Sequence, residues 1–66
     1  MLTLTVNGET LRTPAKDLAD LLLELALPAQ GVAVAVNGSV VRRAEHAGAR
    51  LADGDQIEII RAVQGG

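Results

Sequence analysis

The chain has 66 residues, six basic and eight acidic, for a net charge of -2, with 48% apolar residues and no Phe, Tyr, Trp or Cys. That length suits one small domain and leaves no room for a deep substrate chamber. The missing aromatics and basic runs argue against nucleic-acid binding, and the missing cysteines exclude disulfides, thiolate chemistry and cysteine-held metals.

Leu2-Thr3-Leu4-Thr5-Val6 alternates apolar and polar residues, the pattern of a strand with one buried face. Asn7-Gly8 follows, a hairpin signal of the type that needs positive φ at both positions. A second strand is expected from about Glu9 to Thr13, ended by Pro14, which has no N–H to offer a ladder. Asp17 is then the favoured N-cap of a helix, with Asp20 three residues on. Thr13-Pro14 is an alternative start. Leu18, Leu21, Leu22 and Leu25 form one apolar stripe at helical spacing, and Pro28 with Gly31 is expected to close the helical region.

Val32 to Val36 alternates again and is rich in β-branched residues, which predicts a third strand. Asn37-Gly38 is a second turn signal and Val40-Val41 a short return strand. Arg42 to Ala52 shows no period and reads as loop with one helical turn at most; His46, the only histidine, is expected on its surface. Asp53-Gly54-Asp55 is a tight turn, since a calcium loop would need further oxygen ligands that are missing. The last strand is expected from Gln56 to about Val63. The order β-β-α-β-β-β predicts an α+β fold, one helix packed on a small mixed sheet.

In that last strand Ile57 and Ile59 would face the helix, leaving Ile60 and Ala62 on the open face. Such residues are either ordinary surface or a docking patch. Arg42-Arg43 is likewise either a solvated pair or a contact for an acidic partner. Beyond the strand come Gln64 and Gly65-Gly66. Two glycines without side chains can extend through a narrow channel. An α-carboxyl ordinarily titrates near about 3.3–3.7, so its ionised form must be activated before it transfers anything. The sequence lacks a phosphate-binding loop, and activation would have to come from a partner. Taken alone, a Gly-Gly end is weak evidence and reads first as a frayed terminus.

Val6-Asn7-Gly8-Glu9, Asp20-Leu21-Leu22, Val34-Ala35-Val36-Asn37-Gly38, Val40-Val41, Arg43, Asp53-Gly54-Asp55-Gln56-Ile57-Glu58 and Ala62-Val63-Gln64-Gly65-Gly66 together carry a family resemblance. Over essentially its whole length the chain resembles the bacterial sulfur carrier proteins of thiamine biosynthesis, which have the ubiquitin-like β-grasp fold. The resemblance implies a carrier that is no enzyme and binds no cofactor. A ubiquitin-activating-like enzyme would use ATP to adenylate the Gly66 carboxylate. Sulfur from a persulfide, such as that of a cysteine desulfurase, would convert it to a thiocarboxylate, and thiazole synthase would take the sulfur. Residues 1–63 would be the domain and 64–66 a flexible tail. Val63, Ala62 and Ile60 would join Gln64 and Gly65 in docking. The start has no basic segment followed by an apolar run and no stretch reaches the roughly 20 apolar residues of a spanning helix, so the expected setting is cytoplasmic, with no membrane or nucleic-acid partner. A molybdopterin synthase small subunit, another sulfur carrier, and a ubiquitin-like modifier are the alternatives. Relatives often have proline where Arg42 stands and an aromatic residue where His46 stands, which touches loop detail and partner choice.

Overall fold

A computed structural model describes residues 1–28 and 31–61. Five strands form one sheet in the order β2-β1-β5-β3-β4. They are β1 (Leu2–Val6), β2 (Glu9–Thr13), β3 (Val32–Val36), β4 (Ser39–Val41) and β5 (Gln56–Arg61), with helix α1 (Leu18–Glu24) between β2 and β3. This is the α+β order expected from the sequence, in the β-grasp arrangement that the family resemblance implies.

Both hairpins turn as their dipeptides dictate. Asn7 and Gly8 have φ of 50° and 84°, and Asn37 and Gly38 have 52° and 87°. The signs match a two-residue turn whose twist suits the flanking strands. β1 pairs antiparallel with β2 from Leu2↔Thr13 to Val6↔Glu9. β3 pairs antiparallel with β4 and with β5, the latter from Val32↔Arg61 to Val36↔Ile57. The hairpins are joined by β5, which runs parallel to β1 through Thr5↔Gln56 and Val6↔Ile57.

The core follows from the alternation and the helical stripe. Leu4, Val34, Ile57 and Ile59 from the sheet meet Leu18, Leu21 and Leu22 from α1, with Ala15 beside them. Leu18 and Leu21 are fully buried, whereas Leu23, off the stripe, is 77% exposed. Asp17 caps the helix as expected, its Oδ1 accepting from the Asp20 N–H at 2.8 Å. The main chain around Asp17 also pairs with the segment near Arg50: Leu18 N–H donates to the Ala49 carbonyl at 3.1 Å and Leu51 N–H to that of Lys16 at 2.9 Å. Fully buried Thr13 donates to the Glu24 carboxylate and accepts from the Ala15 N–H at 3.0 Å, linking the end of β2 to the last helical residue.

Two expectations need correction. The helix does not run toward Pro28. It stops at Glu24, with Leu25 as C-cap. Ala26 adopts φ 58°, its N–H donates to Leu23 at 3.0 Å, and the Leu27 N–H reaches the Leu22 carbonyl at 2.9 Å. That is the paired closure usually built around glycine, here formed by alanine, with Leu27 packed on the core next to it. The second correction is His46. Arg43–Gly48 is a six-residue 3-10 helix rather than open loop, and it turns His46 inward, leaving the side chain 3% exposed. The His46 Nε2 lies 3.3 Å from the Val41 carbonyl oxygen, so the ring pins this segment to β4.

Candidate functional site

The region of interest is the end of β5, because the expected working residues lie just beyond it. Of those residues, Ala62, Val63, Gln64, Gly65 and Gly66 fall outside the described part of the chain, as does the boundary expected at 63/64. Ile60 is described, and it is 67% exposed while its neighbours Ile57 and Ile59 are buried. The faces assigned from alternation to Ile57, Ile59 and Ile60 are therefore the observed ones, and the face assigned to Ala62 lies outside the described residues.

Register places the neighbours of Ile60. Ala33 stands opposite it on β3, and Ala35 lies one rung pair further along the same face. Val40, 77% exposed, is the β4 partner of Ala35. The open face of the sheet thus carries an apolar strip from Ile60 across two small alanines to Val40. Alanines leave the backbone approachable, and a depression of about 340 Å³ is lined there by Gly31, Val32, Ala33 and Ile60. Singly exposed apolar residues are common, but a run that crosses three adjacent strands is the form taken by a contact surface.

Charge adds a second feature. Arg61 ends β5 opposite Val32, and Arg42 and Arg43 directly follow the end of β4 on the same side of the sheet. Three of the six basic residues of an acidic chain therefore follow or end strands that finish at this end of the sheet. Positive charge at one end of a sheet acts on an acidic partner mainly through encounter rate and register. The Arg42-Arg43 pair is visible in the sequence; that β4 and β5 finish at the same end of the sheet is not, because it depends on antiparallel pairing of β3 with both neighbours.

A third feature has no counterpart in the sequence reading. The main-chain pairing of β1 with β5 ends at Val6↔Ile57, followed by a bond of 2.9 Å from the Asn7 N–H to the Ile57 carbonyl. The Asn7 side chain then continues the ladder. Its Oδ1 accepts from the Ile59 N–H at 2.8 Å, and its Nδ2 donates to the Ile59 carbonyl at 3.1 Å. A primary amide offers the same donor and acceptor as a peptide group, so one side chain replaces a main-chain rung.

Asp53 and Asp55 turn out to be architectural. Asp53 Oδ1 accepts from the Thr3 N–H at 2.7 Å, while Asp55 accepts from the Ala52 N–H at 2.9 Å and from Asn37 Nδ2 at 3.1 Å. Their carboxylates are occupied with holding the start of β5, as the expected turn requires. Among the described residues no group of three or more His, Asp or Glu side chains could hold a metal ion. No helix among them is long and apolar enough to cross a membrane.

Comparison with known proteins bears on this geometry. The chain is similar to the crystal structure of a thiamine biosynthesis protein (ThiS) from Geobacter metallireducens, with 30% identity, a TM-score of 0.84, and coverage of 98% of this chain and 100% of that one. It is also similar to the NMR solution structure of a thiamine biosynthesis protein from the same organism, at 30% identity, a TM-score of 0.80, and coverage of 98% and 88%. No match was found among curated protein sequences. The profile of the ThiS family matches residues 4–66, from the first strand through both terminal glycines. A match over nearly the whole length, with the fold to accompany it, means that this chain belongs to the ThiS family.

Proposed function

We propose that the chain is a sulfur carrier of thiamine biosynthesis whose working group is the carboxylate of Gly66. The observation that carries this reading is the family match, which runs through residue 66 and so includes the Gly-Gly end. The fold agrees with it: β5 ends beside an exposed apolar strip that includes Ile60 and Val40. In this reading residues 1–63 are the docking body and 64–66 the arm. The chain is a protein co-substrate and not itself an enzyme.

The chemistry follows from the needs of a carboxylate. A Gly66 oxygen attacks the α-phosphorus of ATP in the activating partner, and pyrophosphate leaves. The terminal sulfur of a persulfide, as on a cysteine desulfurase, then attacks the acyl carbon, and AMP departs. A second thiol cleaves the S–S bond, leaving a thiocarboxylate on Gly66 and a disulfide on the donor side. Thiazole synthase takes the sulfur. Glycine suits the acyl position because no side chain crowds the attacked carbon. Val63, Gln64 and Gly65 lead it into the partner, while Ile60 and Ala62 rest against the partner's surface.

Intact-mass spectrometry of the protein from its native cell tests the reading. A gain equal to the difference between sulfur and oxygen, located at Gly66, is expected, and deletion of Gly66 should abolish it. Gly66 joined to target lysines would instead identify a protein modifier, and sulfur delivered to a molybdopterin precursor would identify a molybdopterin synthase subunit. Ile60→Asp should weaken binding to the activating enzyme at least about tenfold without unfolding the domain, as loss of a central apolar contact does. Unchanged affinity would remove Ile60 from the interface.

A further inference from the structure

We infer that Asn7 is a positioning residue for the C-terminal arm: its side-chain amide fixes the end of β5, and so the direction in which the arm leaves the sheet. The inference rests on Gly66 being the working end.

β5 is gripped unequally along its length. Its first half has main-chain partners on both sides, β1 through Gln56 and Ile57, and β3. Beyond Ile57 the β3 side continues as far as Arg61. On the β1 side, among the described residues, the bonds to β5 past Ile57 are the two made by Asn7 to the Ile59 N–H and carbonyl. Both are part-buried, where a hydrogen bond is less exposed to competition from water. Ile59 immediately precedes Ile60, the exposed apolar residue, and stands two residues before Arg61. A strand held on one side only can swing about that ladder. Held on both, it points one way.

The backbone gives Asn7 this reach at low cost. Its φ of 50° is a conformation that asparagine tolerates better than most residues, and it turns the short amide toward the neighbouring strand. Alignment of reacting groups accounts for large rate factors, and a displacement of about 1 Å can cost about a hundredfold. An arm that starts from a fixed strand end searches fewer directions before Gly66 meets an activated phosphate.

The molecule supplies its own control. Asn37 has the same turn and the same two-bond grip on its surroundings, but at the start of β5, on the Gln56 N–H at 2.9 Å and the Asp55 carboxylate at 3.1 Å. Asn7→Gly and Asn37→Gly both keep the positive-φ turn and delete the side-chain bonds. Amide exchange by NMR is expected to show Ile59 exchanging about tenfold faster in Asn7→Gly, with little change there in Asn37→Gly. With the activating enzyme and ATP, at a temperature where both variants are folded, Asn7→Gly is expected to lower kcat for adenylation about tenfold with KM for the carrier little changed. Asn37→Gly should leave kcat near wild type. Should Asn7→Gly fail to fold, Asn7→Asp serves instead and is read by kcat alone, since it keeps the acceptor that protects the Ile59 N–H and loses only the donor to the Ile59 carbonyl. Equal kcat losses in the two variants, or unaltered exchange at Ile59, would overturn the inference. A wild-type chain that is not adenylated at all would sink the carrier reading instead, and Ile59 exchange would still report whether Asn7 holds the strand.

Discussion

The β1–β2 and β3–β4 hairpins turn on the same dipeptide with nearly the same backbone angles, yet their asparagines do different work. Asn7 reaches a residue 52 positions away and extends a parallel ladder by one rung. Asn37 reaches residues 18 and 19 positions away and steadies the turn before β5. The local signal sets the turn, and the topology decides what the side chain meets. Because β1 is parallel to β5 and β3 antiparallel to it, one turn lies beside the late part of β5 and the other beside its beginning.

Experiments can break that comparison at several strengths. Ile57 is 1% exposed and sits on the rung shared by both hairpins, opposite Val6 and Val36. Ile57→Ala should cost about 2–5 kcal/mol in urea unfolding, much of what so small a domain has. Both hairpins should lose exchange protection together; loosening of one alone would mean that the two halves are not one cooperative unit. Asp55→Ala removes the acceptor of Asn37 Nδ2 and of the Ala52 N–H, and should cost about 1–2 kcal/mol while leaving the Asn7–Ile59 bonds intact. A matching rise in Ile59 exchange, beyond the global loss, would contradict the separation of the two grips. Gly8→Ala and Gly38→Ala should each cost about 1 kcal/mol, because an L side chain is strained at these angles. Neither added Cβ would meet an atom within 4 Å, so the two costs should agree; a clear inequality by thermal unfolding would show that the turns differ in more than their side chains. The smallest effect carries the opposite sign. Ala26 occupies a left-handed position without a polar side chain to compensate, and Ala26→Gly should raise stability by about 0.5–1 kcal/mol. A fall in the melting temperature would refute that account of the helix end.

The strands and both turns were legible because alternation and Asn-Gly are local signals, and the start of α1 because Asp17 can cap only the residues that follow it. The end of α1 was misread for an equally local reason. Pro28 reads as the stop, but the Leu27 N–H closes the helix earlier on the Leu22 carbonyl, with Leu27 packed on the core and Ala26 at a positive φ. His46 was placed on the surface because a lone polar residue in an aperiodic segment reads that way. Its burial comes from the 3-10 turn and the Val41 carbonyl, neither of which has a sequence period. At the candidate site the exposure of Ile60 followed from strand parity alone. The apolar strip across three strands and the Asn7 rung depend on which strands become neighbours, and no single segment contains that information.

The sheet order has one more implication, for how the molecule comes into being. β5 is the last of the five strands along the chain and the middle one in space. During synthesis the two hairpins and the helix emerge first and have nothing to close against. Until the final strand arrives, β1 and β3 present open edges of the kind that invite mispairing. A chain lacking β5 would therefore be a poor mimic of the assembled domain, and a partner that reads the assembled sheet would in effect check that β5 has been made and has found its place between β1 and β3.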